Sequence, residues 1–220
     1  ADTKQTLKNA GVVISAEDEW GVMNVKGVDV CMLAYLCIDR YDKPIGQYAT
    51  LYDKVEADIR SAKAQYPIVI VSFHWGLEPT RENPQRGYNP TDAQLRMGRL
   101  AVDAGADLVI GNHSHRVQPI ECYKGVYICY SLGNFCFAGN HKPDDMTSMI
   151  FQTRFRVKDG EVTNEGFRII PIRISSSKEY NNFIPTPLTE ATKIDGVITT
   201  LKTNGRKLTY AVSDYPTAWE

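Results

Sequence analysis

Of the four histidines in the 220 residues, three follow the two runs that read most strongly as buried strands. His74 comes after Ile68 to Phe73, and His113 and His115 come after Val109-Ile110-Gly111-Asn112. In an extended loop, side chains at i and i+2 point to the same side, and Gly111 gives the backbone room to turn beneath a bound ion. A paired imidazole face joined by a third ring from the neighbouring strand suits a divalent cation. Neutral imidazole selects zinc, iron, manganese or nickel over magnesium or calcium. Three imidazoles suffice for one zinc, whereas a two-metal hydrolytic centre needs a bridging carboxylate to hold cations about 3.5–4 Å apart. No such carboxylate is evident beside these three.

Weaker candidates surround them. Glu78, four residues after His74, is either an acceptor for an imidazole N–H, a general base, or a plain loop carboxylate. Asn134, in Ser131-Leu132-Gly133-Asn134-Phe135, either orients the metal loop or caps a turn. His141, with Asp144 and Asp145, reads as solvated surface. Trp75 reads as packing beside the site rather than as a stacking platform. Arg81, Arg86 and Arg116 carry the fork that receives phosphate or carboxylate, yet each taken singly reads as solvated surface.

The elements that must carry these residues are legible from periodicity. Leu51, Val55, Ile59 and Ala62 recur at helical spacing between Tyr48 and Tyr66, and Pro67 stops that helix before the Ile68 to Phe73 run. The unit repeats: Thr91-Asp92 opens a helix through Leu95, Met97, Leu100, Ala101 and Ala104, and Gly105 ends it before Asp107-Leu108-Val109-Ile110. Helix followed by doubly buried strand, twice, predicts α/β layering, and in open α/β sheets the carboxyl ends of strands are where ligands collect. Upstream, a short capped helix is expected to end at Gly11. Strands are expected at Val12 to Ile14, Trp20 to Val25 and Val28 to Cys37, the last bounded by a turn at Asp39-Arg40. Downstream, Gly125 to Leu132, Ser148 to Val157 and Phe167 to Ile174 read as strands of an antiparallel segment, turned by Lys158-Asp159-Gly160. A helix near Leu188 to Thr203 and a short strand at Lys207 to Val212 complete one domain.

Composition narrows the function classes. At 43% hydrophobic and 23% charged, the chain has enough apolar surface for a core. A formal charge of -1 argues against a nucleic-acid reader with a broad cationic face. The longest apolar runs fall well short of the roughly 18 residues of a membrane-spanning helix. Ala1-Asp2-Thr3-Lys4 is not an intact signal peptide. Five cysteines without a CxxC spacing read as buried thiols, with one or two disulfides as the alternative, and not as a zinc cluster.

Three strings taken together, His74-Trp75-Gly76-Leu77-Glu78, Ala104-Gly105-Ala106-Asp107-Leu108-Val109-Ile110-Gly111-Asn112-His113-Ser114-His115 and Tyr130-Ser131-Leu132-Gly133-Asn134-Phe135, resemble the bacterial capsule-synthesis CapA family. These poly-γ-glutamate synthesis proteins are related to calcineurin-like metallophosphoesterases. Asn182-Phe183-Ile184-Pro185-Thr186-Pro187 is similar to that family's C-terminal segment, so the resemblance runs from about Thr3 to about Leu201. It implies a four-layer α/β/β/α sandwich with two mixed β-sheets and a metal centre at the strand ends. His74 and His113 would be ligands of one divalent ion and His115 of another, with zinc, manganese or iron, one or two ions, as the cofactor. Glu78 and Asn134 would support them. Ser114 stands where the family commonly has Pro, and Pro79 where it commonly has an aromatic residue.

The family's upstream Gly-Asp and Asn-Asn-His motifs do not occur here. Residues 1–220 are therefore expected to be the C-terminal two-thirds of a single metallophosphoesterase-like domain, with the N-terminal strands and their ligands on a companion or preceding segment. By the same resemblance, the expected function is capsule biosynthesis with a metal-dependent hydrolase site acting on a phosphorylated substrate or an anionic polymer. The alternative is a non-catalytic accessory protein that binds or guides that polymer. The expected place is the outer face of the bacterial cell membrane, reached only through an absent N-terminal anchor.

Overall fold

A computed structural model describes residues 2–16, 19–37 and 49–219. Helix α1 (Asp2–Asn9) comes first, ahead of Gly11 as expected, and the two helix-then-strand units form as the periodicity requires. Helix α2 (Ala49–Lys63) turns Tyr52, Val55, Ile59 and Ala62 inward, and β3 (Ile68–Trp75) follows. Helix α3 (Asp92–Ala104) begins at a capping box: Thr91 Oγ accepts from the Gln94 N–H, and the Gln94 side chain accepts from the Thr91 N–H. It ends at Gly105, whose φ of 115° only glycine takes freely. Strand β4 (Leu108–His113) comes next.

With β1 (Gly21–Val25), β2 (Val28–Leu36), β5 (Ile120–Tyr123) and β6 (Val126–Cys129), these strands make a six-stranded mixed sheet ordered β1-β2-β3-β4-β6-β5. The pairs β2–β3, β3–β4 and β4–β6 are parallel, and antiparallel β1 and β5 form the edges. Burial from both sides explains why β3 and β4 read as unbroken apolar runs. One face packs under α2 and α3 in a core that contains Val55, Ile59, Val69, Val71, Phe73, Trp75 and Met97.

A smaller antiparallel sheet, β7-β8-β9, consists of β7 (Thr147–Lys158), β8 (Glu161–Arg173) and β9 (Thr186–Pro187). Asp159 and Gly160, at φ 53° and 83°, turn its hairpin. The two sheets meet through the Tyr127 ring, 4.7 Å from that of Phe167. A second core joins Ile120, Cys129, Met149 and Ile169 to Val197 and Leu201 of α4 (Ala191–Gly205) and to Tyr215. The chain is thus α/β with two packed sheets.

Several local expectations fail. No strand forms at Val12 to Ile14, and Lys207 to Val212 contributes only an isolated bridge from Ala211 to Glu121. Their β-branched residues find no full ladder. Strand β5 carries no sequence signal of its own, because Ile120-Glu121-Cys122-Tyr123 buries a carboxylate that alternation assigns to solvent. Strand β8 starts earlier than Phe167, since its first half is polar edge. Tyr48 and the turn at Asp39-Arg40 lie outside the described residues. All five cysteines are free; Cys31, Cys37 and Cys129 are buried and Cys122 is half-buried, while Cys136 is exposed, contrary to the buried reading.

Candidate metal centre

The carboxyl ends of β3, β4 and β6 are locked together by one close approach. Trp75 Nε1–H donates to the Tyr130 carbonyl at 2.8 Å across Gly111, where an added Cβ would stand 2.0 Å from that oxygen and 2.3 Å from the indole nitrogen. Glycine at 111 therefore serves packing of the strand ends as well as freedom of the loop. The β3–β4 register then sets His74 beside Asn112 and Trp75 beside His113. His74 is within β3 and His113 is the last residue of β4, so both stand on the sheet itself rather than on the loops after it.

Beyond β4 the chain does not run extended. His113 and His115 hold φ of 106° and 54°, in the region that non-glycine residues avoid. Between them Ser114 is buried, and its Oγ donates to the Arg116 carbonyl at 3.1 Å. The three rings lie in sequence along the strand ends: His74 Nε2 is 3.0 Å from His113 Nδ1, and the His113 and His115 ring centroids are 6.3 Å apart. Non-glycine residues held in such a conformation cluster at binding sites, because surrounding contacts must outweigh the strain.

Glu78 and Asn134 complete the group. His115 Nδ1–H donates to Asn134 Oδ1 at 2.5 Å, and its Nε2 stands 2.9 Å from Glu78 Oε1. The same carboxylate oxygen is 3.8 Å from His113 Nδ1. Asn134 is buried while the Glu78 side chain is 45% exposed, so the amide is fixed and the carboxylate has room to swing. Phe137, which the sequence did not single out, places its ring 4.8 Å from that of His115. Desolvation first, then like charge from His113 and His115, holds the His74 imidazole below its ordinary value, toward the neutral form that binds metal.

The donor set suits a cation in kind. Two nitrogens on one tetrahedral ion with Zn–N of about 2.0–2.1 Å stand about 3.3–3.4 Å apart, and the His74–His113 pair, at the hydrogen-bonding distance of 3.0 Å, would open by a few tenths of an ångström to hold one. Imidazole with a carboxylate is also the right chemistry for zinc, manganese or iron. The count falls short: among the described residues no three His, Cys, Asp or Glu side chains are gathered as a metal site. The residues fit in kind and leave coordination positions for other donors.

The remaining candidates lie elsewhere or do other work. His141 is exposed and stacks on Tyr180, with centroids 4.9 Å apart. Asp144 is exposed, and Asp145 accepts from the Tyr88 hydroxyl at 2.7 Å. Trp75 is fully buried and stacks on Phe73. Arg81 is exposed and Arg86 half-buried. Arg116, read as surface, is only 5% exposed and lies over the Tyr88 ring at 5.3 Å. An arginine directly after the second histidine carries no sequence signal of burial.

Known proteins resemble parts of the chain. The chain is 44% identical over 79 residues to the PGA biosynthesis protein CapA of Bacillus subtilis (strain 168), which is 36% of this chain and 19% of that protein. It is 39% identical over 75 residues to the capsule biosynthesis protein CapA of Bacillus anthracis, 34% of this chain and 16% of that protein. The matches thus span less than a fifth of each relative's length. Among solved structures, a hypothetical protein from Thermus thermophilus aligns with a TM-score of 0.44 and 12% identity over 77% of this chain and 80% of that one. The family model described as bacterial capsule synthesis protein PGA_cap matches residues 2–139, a stretch containing all five residues of the candidate centre, and the chain belongs to that family.

Proposed function

We propose that the chain works in poly-γ-glutamate capsule synthesis at the outer face of the cell membrane, as part of a metal-dependent hydrolase of the phosphoesterase type. Its relatives are capsule and poly-γ-glutamate biosynthesis proteins, which supports the biological half. The chemical half is carried by the His74 Nε2 to His113 Nδ1 approach of 3.0 Å.

When bound, a divalent cation neutralises charge building on a phosphoryl or amide-type oxygen and acidifies a water. His74 and His113 would hold it through the facing nitrogens. Asn134, 2.5 Å from His115 Nδ1, would orient that ring, and with the proton on Nδ1 its Nε2 would be left to a cation beside Glu78. Glu78, whose half-exposed carboxylate reaches His115, would take the proton of an attacking water. The substrate this supports is a phosphorylated intermediate or the anionic polymer.

A second reading has its own observation. One described carboxylate, Glu78, reaches the histidines, and no three-donor group forms among the described residues; this favours an accessory protein that binds or guides the polymer without catalysis. Elemental analysis of the intact protein, with turnover of an aryl phosphate before and after chelation and in His113→Ala, separates the two. Bound metal, with turnover lost on chelation and in the variant, is the expected result. Metal-free protein without turnover that still binds poly-γ-glutamate would overturn the hydrolase.

A further inference from the structure

Where β7 begins and β8 ends, α4 stands off the small sheet and leaves a cleft of about 340 Å³. Met146, Leu188, Gly196 and Val197 give it a mainly hydrocarbon wall, and Arg173 and Lys193 bring two cations to it. The two cations differ in how they are satisfied. Lys193 Nζ is paired with Glu190 at 2.8 Å. Among the described residues, the Arg173 guanidinium reaches only the Met146 sulfur, from Nη2 at 3.2 Å, and its Nε is shut from solvent with no acceptor.

A thioether is a weak acceptor. The half-buried guanidinium has no carboxylate partner among the described residues, so its outer nitrogens are left to receive an incoming anion. The edge of the fork that faces the cleft suits a carboxylate, which can take two parallel N–H donors. Beyond it, the walls are mainly hydrocarbon, with Thr147 and Thr200 as the other polar residues, and Gly196 has open space where its side chain would be, with nothing within 4 Å of an added Cβ. The size falls at the small end of ligand pockets.

We propose that this cleft binds a small amphipathic carboxylate, the carboxylate on Arg173 and a short hydrocarbon chain along Met146, Leu188 and Val197. None of the five residues of the candidate centre lines it, so the proposal stands apart from the hydrolase reading.

Octanoate is the probe, with 1-octanol and acetate as controls, titrated against the full chain by calorimetry and by the thermal midpoint. Saturable octanoate binding is expected in about the millimolar range, with neither control saturating. Arg173→Met should weaken it by about tenfold or more, as loss of a charge-assisted hydrogen bond does. Gly196→Leu, which fills the open space and raises helix propensity, should abolish it while the circular dichroism spectrum and midpoint are retained. This second variant keeps the test decisive should Arg173→Met fold poorly. Absence of saturable octanoate binding, equal binding of 1-octanol, or unchanged binding in Gly196→Leu would overturn the proposal.

Discussion

At His113 the φ of 106° lies outside every region an L-residue favours, so the surrounding contacts hold the backbone there against its preference. The cost of a left-handed conformation to a residue with a Cβ is about 1–2 kcal/mol. Two substitutions separate backbone strain from side-chain loss, since both remove the imidazole and only one removes the Cβ. His113→Gly should be more stable than His113→Ala by about 1 kcal/mol in urea unfolding. Equal stability of the two would show that the twist is not strained. Asn134 makes a different prediction: replacing it with Ala removes the acceptor that holds His115 Nδ1–H, leaves a buried void and should cost about 1–3 kcal/mol. Metal affinity should fall about 10–100-fold if His115 is a ligand, as loss of an orienting partner does. Metal titration of the variant checks this.

Between β3, β4 and β6 the decisive contact is the absence of a side chain. Gly111→Ala would drive a methyl into the Tyr130 carbonyl and the Trp75 indole, which cannot both yield without parting the strands. A loss of more than about 3 kcal/mol is expected, together with displacement of His113, visible as altered histidine NMR shifts. The start of α3 responds more gently. Thr91→Ala removes the side-chain half of its capping box and should cost about 1 kcal/mol without touching the histidines. Both are measured by denaturant unfolding, and a reversed order of the two would contradict the description of the sheet.

Across the whole molecule, the second core depends on the last residues of the chain. Tyr215 is 2% exposed, its hydroxyl accepts from the Ile120 N–H at 3.2 Å, and the Ile169 N–H donates to the Pro216 carbonyl at 2.8 Å. The C-terminal strap thereby ties the two sheets to each other. Tyr215→Ala should cost about 3–5 kcal/mol by opening a cavity between them, and Tyr215→Phe about 1 kcal/mol by losing one hydrogen bond. A strap that merely rests on the surface would show neither. Buried Glu121 acts in the same way between α3 and the sheet: its carboxylate receives two donors from Arg99, at 2.7 and 3.1 Å, and the Tyr130 hydroxyl at 2.8 Å. With burial around it and that carboxylate beside it, the Tyr130 hydroxyl is pushed far above its ordinary value, so it stays protonated as a donor.

Sequence by itself determined the helix–strand alternation, the stop at Pro67, the cap pair Thr91 and Gly105, and the three histidines as the residues worth following. Each of these is local: helical period, proline's missing donor, glycine's freedom and imidazole chemistry act within a few residues. Tertiary structure alone decided the rest. The sequence placed His113 and His115 on an extended loop, whereas the positive φ values that gather the rings are imposed by packing around Ser114 and Asn134. Strand β5, the depth of Arg116 and the tie from Tyr215 were invisible for the same reason, because each is fixed by partners far away in the chain. Burial of a polar group is a property of what surrounds it, and no spacing within its own segment records that.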